Sequence, residues 1–250
     1  MAIRFPDGMI IAFEGLDCSF KETNYKAAVN MIQNGFKYLD NKYVFTESFP
    51  RYGTVGCTGV ESWLRGRLDR GYMMQHPASI NSLYCIDRLH YWHEWSINEN
   101  GKKYSMYDML NCNLAMFIFD RYTLSNAFYN PIYDDERVTL EDIRFDKDVF
   151  DIPLPHVVVW MRMRNFEVLK SLLAKKENKD ENEIDTDFIY KVWKRSERAI
   201  KDKSLWKKAG IKLIVIDCLN EDNTIKSKEE IEFQVTMELG NAIAEYKKND

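Results

Sequence analysis

The chain has no excess of positive charge, no apolar run long enough to cross a bilayer and no cysteine spacing of the metal-binding kind. Its 35 Lys and Arg stand against 39 Asp and Glu, a net charge of −4, and the isoelectric point is about 5.7. That balance provides no electrostatic pull toward DNA or an anionic membrane, so neither is expected as a partner. Apolar runs such as 157–161 and 213–216 are strand-sized, far short of the ~20 residues of a spanning helix. No cationic-apolar leader stands at the start. The five cysteines (Cys18, Cys57, Cys85, Cys112 and Cys218) are odd in number and scattered, which favours free thiols in a reducing compartment. A cytoplasmic protein is the expectation. Repeats and long Gly/Ser/Pro linkers are also missing, so residues 1–250 read as one domain.

What is present has an ordinary globular composition, 45% apolar and 30% charged. Four apolar segments read as buried strands: 9–14, 113–119, 156–161 and 211–217, with 43–48 as a weaker fifth. Stretches of helical period lie between them, at 22–39, 55–68, 76–99, 165–176, 187–206 and 227–247. Strands alternating with helices imply an α/β domain of three layers, a parallel five-stranded sheet with helices on both faces. Ligands of such sheets bind at the carboxyl ends of the strands. Functional residues are therefore expected just after Phe13, Ser48, Phe119, Met161 and Asp217. Residues 175–187, KKENKDENEIDTD, form a mixed-charge run that reads either as a solvated connector or as a lid.

Residues 9–24, MIIAFEGLDCSFKETN, read as a buried strand entering a phosphate-binding loop and then a helix. In such a loop, backbone N–H groups cradle phosphates, a lysine neutralises them and a hydroxyl holds magnesium. Gly15 and Lys21 are in place, but Phe20 stands where the second glycine belongs, Glu22 replaces the hydroxyl, and Thr23 comes one residue late. After the second strand, Phe49-Pro50-Arg51-Tyr52 would aim Arg51 into the crevice. After the third, Asp120 and Arg121 suit a site that handles phosphate and magnesium, or else form a structural ion pair. On the helix 76–99, Tyr84 and Arg88 are four residues apart and share a face. A ring to stack on a base beside a guanidinium to bond its edge makes a nucleobase reader; the alternative is an aromatic core stripe. His90, His93 and Glu94 lack a ligand pair at the required spacing and read as ordinary helix residues.

Together these segments resemble the thymidylate kinases, P-loop kinases that pass the γ-phosphate of ATP to dTMP. The resemblance rests on FEGLDCSFKETN, SFPRY with a downstream VESWLRGRL, NSLYCIDR, FDRYTLSNAFYN, IPLPHVVVWM and the charged KDENEID, in that order across nearly the whole chain. It is nearer to the bacterial and phage branch. The resemblance implies a P-loop kinase fold, ATP and Mg2+ as cofactor and metal, dTMP as the small-molecule substrate, and a homodimer. It places Gly15, Cys18, Ser19, Phe20, Lys21, Glu22 and Thr23 at the ATP phosphates, with Lys21 on the β- and γ-phosphates. Asp17 would lie near the acceptor's sugar and phosphate. Phe49 and Pro50 would shape the acceptor pocket, with Arg51 and Arg121 on the dTMP phosphate. Tyr84 would stack on the pyrimidine and Arg88 would bond its O4 edge, while Ser125, Asn126 and Asn130 line the base pocket. Asp120 and Glu22 would serve magnesium, and Lys21, Asp17, Arg121 and Asp120 form the catalytic set.

Against that family the lid offers only Lys175, Lys176 and Lys179 where arginines are usual, and lysine lacks the bidentate fork. Residues 100–108 and 131–150 read as additions to a minimal kinase, the second as a surface excursion or a dimer accessory. The helix 188–208 carries eight Lys and Arg against two acids and reads as a solvated face. Adenine would be met after Asp217, in CLNEDNTIK, by position alone. Two alternatives remain open at this stage. The acceptor is dUMP or a 5-modified dUMP, or the chain binds nucleotide without transferring phosphate.

Overall fold

The computed structural model describes residues 8–35, 43–99, 102–112, 114–129, 137–177 and 185–246. Five strands, β1 (Met9–Gly15), β2 (Tyr43–Ser48), β5 (Ala115–Asp120), β6 (Val157–Arg162) and β7 (Lys212–Asp217), form one sheet in the order β2-β5-β1-β6-β7. All four pairings are parallel. The inner strands β1 and β5 are buried at every residue, whereas β2 is half-buried or exposed throughout and β7 is exposed or half-buried at every position except Ile214 and Ile216. A central strand covered by helices on both faces needs apolar residues throughout, and MIIAF and AMFIF supply them. All five expected strands are present, with boundaries shifted by two residues at most.

Helices α1 (Lys21–Gly35), α4 (Pro77–His93), α6 (Thr123–Tyr129) and α7 (Leu140–Phe150) surround the carboxyl ends of β1, β2 and β5. Between β2 and α4 lie the short helices α2 (Thr58–Leu64) and α3 (Arg70–Gln75). Beneath α4, an aromatic cluster of Phe49, Tyr91, Trp92, Phe117, Phe119 and Tyr122 packs with ring centroids 4.7–6.5 Å apart. Trp92 Nε1 donates to Tyr122 Oη at 2.7 Å, and Tyr122 Oη donates to the Pro153 carbonyl at 2.8 Å, so both polar tips are satisfied in the core.

Three expectations need correction. The helix expected over 76–99 ends at His93, because Glu94 turns extended (φ −66°, ψ 138°). Residues Trp95–Glu99 become strand β3 and pair antiparallel with β4 (Lys102–Ser105), leading into α5 (Met106–Asn111). The Asn-Gly dipeptide at 100–101 was the available signal. The helix expected over 187–206 is two helices, Thr186–Ala199 and Lys203–Ala209, the second N-capped by Asp202, whose carboxylate accepts from Leu205 N. Finally, the segment read as a surface excursion contains α7, which starts at a capping box between Thr139 and Asp142 and buries Asp142, Ile143 and Asp146. Residues 131–136 of that segment lie outside the described residues. Among the described residues no helix is long and apolar enough to cross a membrane.

Candidate active site

The parallel register brings the ends of β1, β2 and β5 level: Phe13 faces Asp120, and Ser48 faces Asp120 from the other side. Arg121 N donates to the Phe13 carbonyl and Phe49 N to the Asp120 carbonyl, each at 2.9 Å. The chain therefore leaves the sheet at three adjacent points, carrying the glycine loop, the Phe49-Pro50 turn and Asp120-Arg121. A cis peptide joins Phe49 to Pro50.

The loop 15–21 keeps the first of the two usual glycines and turns left-handed at two residues that carry side chains. Gly15 is at φ +152°, and a Cβ there would stand 2.7 Å from both the Met161 carbonyl and Ser19 Oγ, so only glycine fits. Cys18 and Phe20 both adopt φ +61°, the left-handed region that suits glycine. Holding a side-chain-bearing residue there costs about 1–2 kcal/mol. The Phe20 ring is partly buried against the main core, and Asn24 Nδ2 donates to the Phe20 carbonyl at 2.8 Å. The ring is held by packing against the core. Ser19 is buried, its Oγ donating to the Leu16 carbonyl at 2.6 Å. Cys18→Gly is expected to raise stability by about 0.5–1 kcal/mol, the relieved strain less the extra unfolded-chain entropy of glycine; the urea midpoint measures it.

Lys21 opens α1 with 9% of its side chain exposed, and its Nζ lies 2.5 Å from Asp120 Oδ1. Burial first, and then repulsion from Arg121, lower the Lys21 pKa, while Asp120 opposes both. Glu22 and Thr23 are exposed. Glu22 pairs with Lys26 at 2.6 Å, and both side chains are 68% exposed, so the structure does not bring Glu22 to Asp120. Among the described residues no group of three or more His, Cys, Asp or Glu is placed to hold a metal.

Beside the loop opens a cavity of about 380 Å³. Its walls include eight residues singled out from the sequence: Asp17, Phe49, Pro50, Tyr84, Arg88, Arg121, Ser125 and Asn126. Asn130 lies outside the described residues. Arg121 stands at the head of the cavity in the left-handed region (φ +60°). Its guanidinium donates to Asp17 at 2.5 Å and lies 5.5 Å from the centre of the Tyr129 ring. Burial opposes the Asp17 charge, but Arg121, Lys176 and Lys21 outweigh it and hold the carboxyl below its ordinary pKa. Lys176 also lines the cavity and Lys175 is exposed, while Lys179 lies outside the described residues.

Arg51 does not line this cavity. Its Nε donates to Asp87 at 3.1 Å, and Nη1 and Nη2 reach Glu94 at 3.0 and 3.1 Å. Its backbone N–H also goes to Asp87, at 2.8 Å. The guanidinium is thus held between two carboxylates with only 4% of its side chain exposed. Arg88 is fully buried behind Tyr84, with Nε donating to Asp146 at 2.6 Å.

Sequence reasoning missed several residues. Trp63, Arg70, Tyr122, Tyr129 and Phe188 also form the cavity wall; Trp63, Tyr122 and Tyr129 lie inside the segments VESWLRGRL and FDRYTLSNAFYN but had been given no role of their own. Glu14 was passed over inside an apolar strand. It is 1% exposed and accepts from Tyr122 N and Ser125 Oγ, both at 2.8 Å. Burial raises its pKa, against the pull of Arg121 and the two hydrogen bonds. Asp146, the partner of Arg88, lay in a segment with no apolar strand signal, although the T-x-x-D capping pattern of 139–142 was legible.

No protein-family model matches the sequence, and no curated protein matches it. Solved structures do. A crystal structure of thymidylate kinase from Ehrlichia chaffeensis superposes with a TM-score of 0.56 at 17% identity, covering 94% of this chain and 100% of that one. Thymidylate kinase from Candida albicans, described as revealing the origin of broad substrate specificity and a novel structural element, gives 0.58 at 17% identity over 98% and 94%. The chain has the fold of these kinases, a five-stranded parallel sheet with helices on both faces.

Proposed function

We propose that this chain, built on the thymidylate kinase fold, transfers the γ-phosphate of ATP to dTMP to give dTDP. One observation carries the reading: eight side chains chosen from sequence as acceptor contacts line a single cavity that opens beside a glycine-type loop and its lysine. Phosphoryl transfer asks the protein for two anions held in line and for charge on the moving group to be neutralised. In this reading Lys21 serves the β- and γ-phosphates, and Arg121, fixed by Asp17, serves the acceptor phosphate. Tyr84 provides a ring face for the base, and Arg88 donates to its edge. The loop suits the triphosphate because its backbone keeps the left-handed turns at Cys18 and Phe20 despite their strain.

Asp120 would hold magnesium together with the nucleotide phosphates, since such sites need only one or two carboxylates. Magnesium there would neutralise charge on the phosphates. Glu22, turned to Lys26 and solvent, is the weaker of the two proposed metal ligands. A homodimer is part of the proposal, carried over from the family resemblance, and so is a cytoplasmic location, carried over from the scattered cysteines.

The test is ADP release, coupled to NADH oxidation, across a panel of dTMP, dUMP, 5-hydroxymethyl-dUMP, dCMP and dAMP. The proposal expects dTMP among the best acceptors. Turnover led by 5-hydroxymethyl-dUMP would move the acceptor to a modified pyrimidine. Binding of dTMP without turnover of any acceptor would leave a nucleotide-binding protein that no longer transfers phosphate.

A further inference from the structure

Behind the cavity wall, Asp146 of α7 joins two residues from two other helices. Its Oδ2 accepts from Arg88 Nε of α4 at 2.6 Å, and its Oδ1 accepts from Asn126 Nδ2 of α6 at 3.1 Å. Arg88 and Asn126 both line the cavity and Asp146 does not. All three are buried, Asp146 at 1% exposure. A buried ion pair is poor evidence of added stability, because apolar residues of similar volume serve as well or better. Its distinctive property is direction. A carboxylate only accepts hydrogen bonds, so it dictates which end of a neighbouring amide faces it.

We propose that Asp146 is a positioning residue that sets the hydrogen-bond code of the cavity, making it complementary to a 4-keto pyrimidine and not to a 4-amino one. The inference rests on the proposed function, since it concerns the base of the same acceptor. With its nitrogen committed to Asp146, and also 3.4 Å from the Asn81 carbonyl and 3.5 Å from Cys85 Sγ, Asn126 has its carbonyl oxygen left to offer the cavity. Arg88 spends Nε on Asp146, Nη1 on the Tyr122 carbonyl at 3.5 Å and a long contact of Nη2 on Cys85 Sγ at 3.9 Å. Of its five N–H donors, two remain for a ligand by these contacts. The wall thus presents a donor beside an acceptor. Thymine and uracil match it with an acceptor, O4, beside a donor, N3–H. Cytosine offers an amino donor beside a bare N3 acceptor and mismatches at both places.

Asp146→Asn keeps the volume and inverts the instruction. The new amide oxygen satisfies Arg88, its NH2 then faces Asn126, and Asn126 turns over to present its own NH2 to the cavity. The exchange N126D/D146N restores an acceptor. The amide then carried by α7 would accept from Arg88 and donate to the carboxylate then carried by α6, whose second oxygen faces the ligand.

Calorimetric titration of dTMP and dCMP into wild type, D146N and N126D/D146N tests this without relying on turnover, with melting temperatures recorded alongside. Sites built on matched polar groups discriminate by roughly a hundredfold or more, and D146N is expected to lower the dTMP:dCMP affinity ratio at least about tenfold. The exchange variant is expected to recover most of the ratio. Equal weakening of both ligands by D146N would reduce Asp146 to a structural role and overturn the inference. So would a wild type that binds dTMP and dCMP alike, or a folded exchange variant without the preference. The exchange arm stands alone if D146N does not fold. A wild type that binds neither nucleotide overturns the proposed function itself, and the inference with it.

Discussion

Lys21→Met is expected to lower the rate of phosphoryl transfer by at least about a thousandfold, the scale of losing a preorganised charge from a transition state in a dry site. Lys21 opens α1, 9% exposed and 2.5 Å from Asp120. Burial and Arg121 both disfavour its charged form, and Asp120 opposes them. An anionic ligand beside Lys21 would likewise favour the charged form. Affinity for dTMP should stay within about threefold, because the acceptor wall does not include Lys21. The two readouts separate the explanations. Loss of transfer with dTMP binding intact places Lys21 at the donor phosphates, whereas loss of both points to a collapsed fold through the orphaned Asp120.

Arg88→Met is expected to destabilise the fold by about 3–5 kcal/mol, because it strands the Asp146 carboxylate without its cation. For a chain of this size that is a fall in melting temperature of roughly 10 °C. Both side chains of the pair are 2% exposed, so solvent screens neither. The double variant R88M/D146L replaces the pair with apolar groups and should recover most of the lost stability. It should not recover dTMP binding, because the donor facing the base is gone. Stability and recognition then part company in one double-mutant cycle, measured by thermal melting and by titration with dTMP. Recovery of both would mean that Arg88 does not read the base.

The strands were legible because burial on both faces demands near-continuous apolar runs, and β1, β5 and β6 have them. Asp120 and Arg121 followed from topology, since strand ends are where a parallel sheet places its chemistry, and Lys21 from the phosphate-loop pattern. What escaped depends on contacts between distant segments. Nothing local in FPRY announces that Arg51 will be taken by Asp87 and Glu94, 36 and 43 residues away. Nor does a charged stretch around Asp146 announce a buried partner for Arg88, 58 residues earlier. The left-handed turns at Cys18 and Phe20 carry a further lesson. Phe20 in place of the second glycine suggested a damaged loop, but Phe20 takes the left-handed conformation a glycine would take, with its ring packed against the core.

The hairpin β3–β4 escaped differently, since its Asn-Gly dipeptide was a local signal. Helical period ran on past His93 in the sequence, and only the extended backbone at Glu94 ends α4. Glu94 then turns its carboxylate to Arg51, so the position that stops the helix also holds an arginine away from the cavity.

The proposed reaction moves a phosphoryl group from ATP onto dTMP. Incubation of the chain with γ-32P-labelled ATP, magnesium and dTMP, followed by ion-exchange separation of the nucleotides, tests it most directly. Label is expected in dTDP, on its terminal phosphate, and is expected to be lost in the Lys21→Met variant. Label that stays in ATP or appears only as inorganic phosphate, with dTMP demonstrably bound, would contradict the proposal.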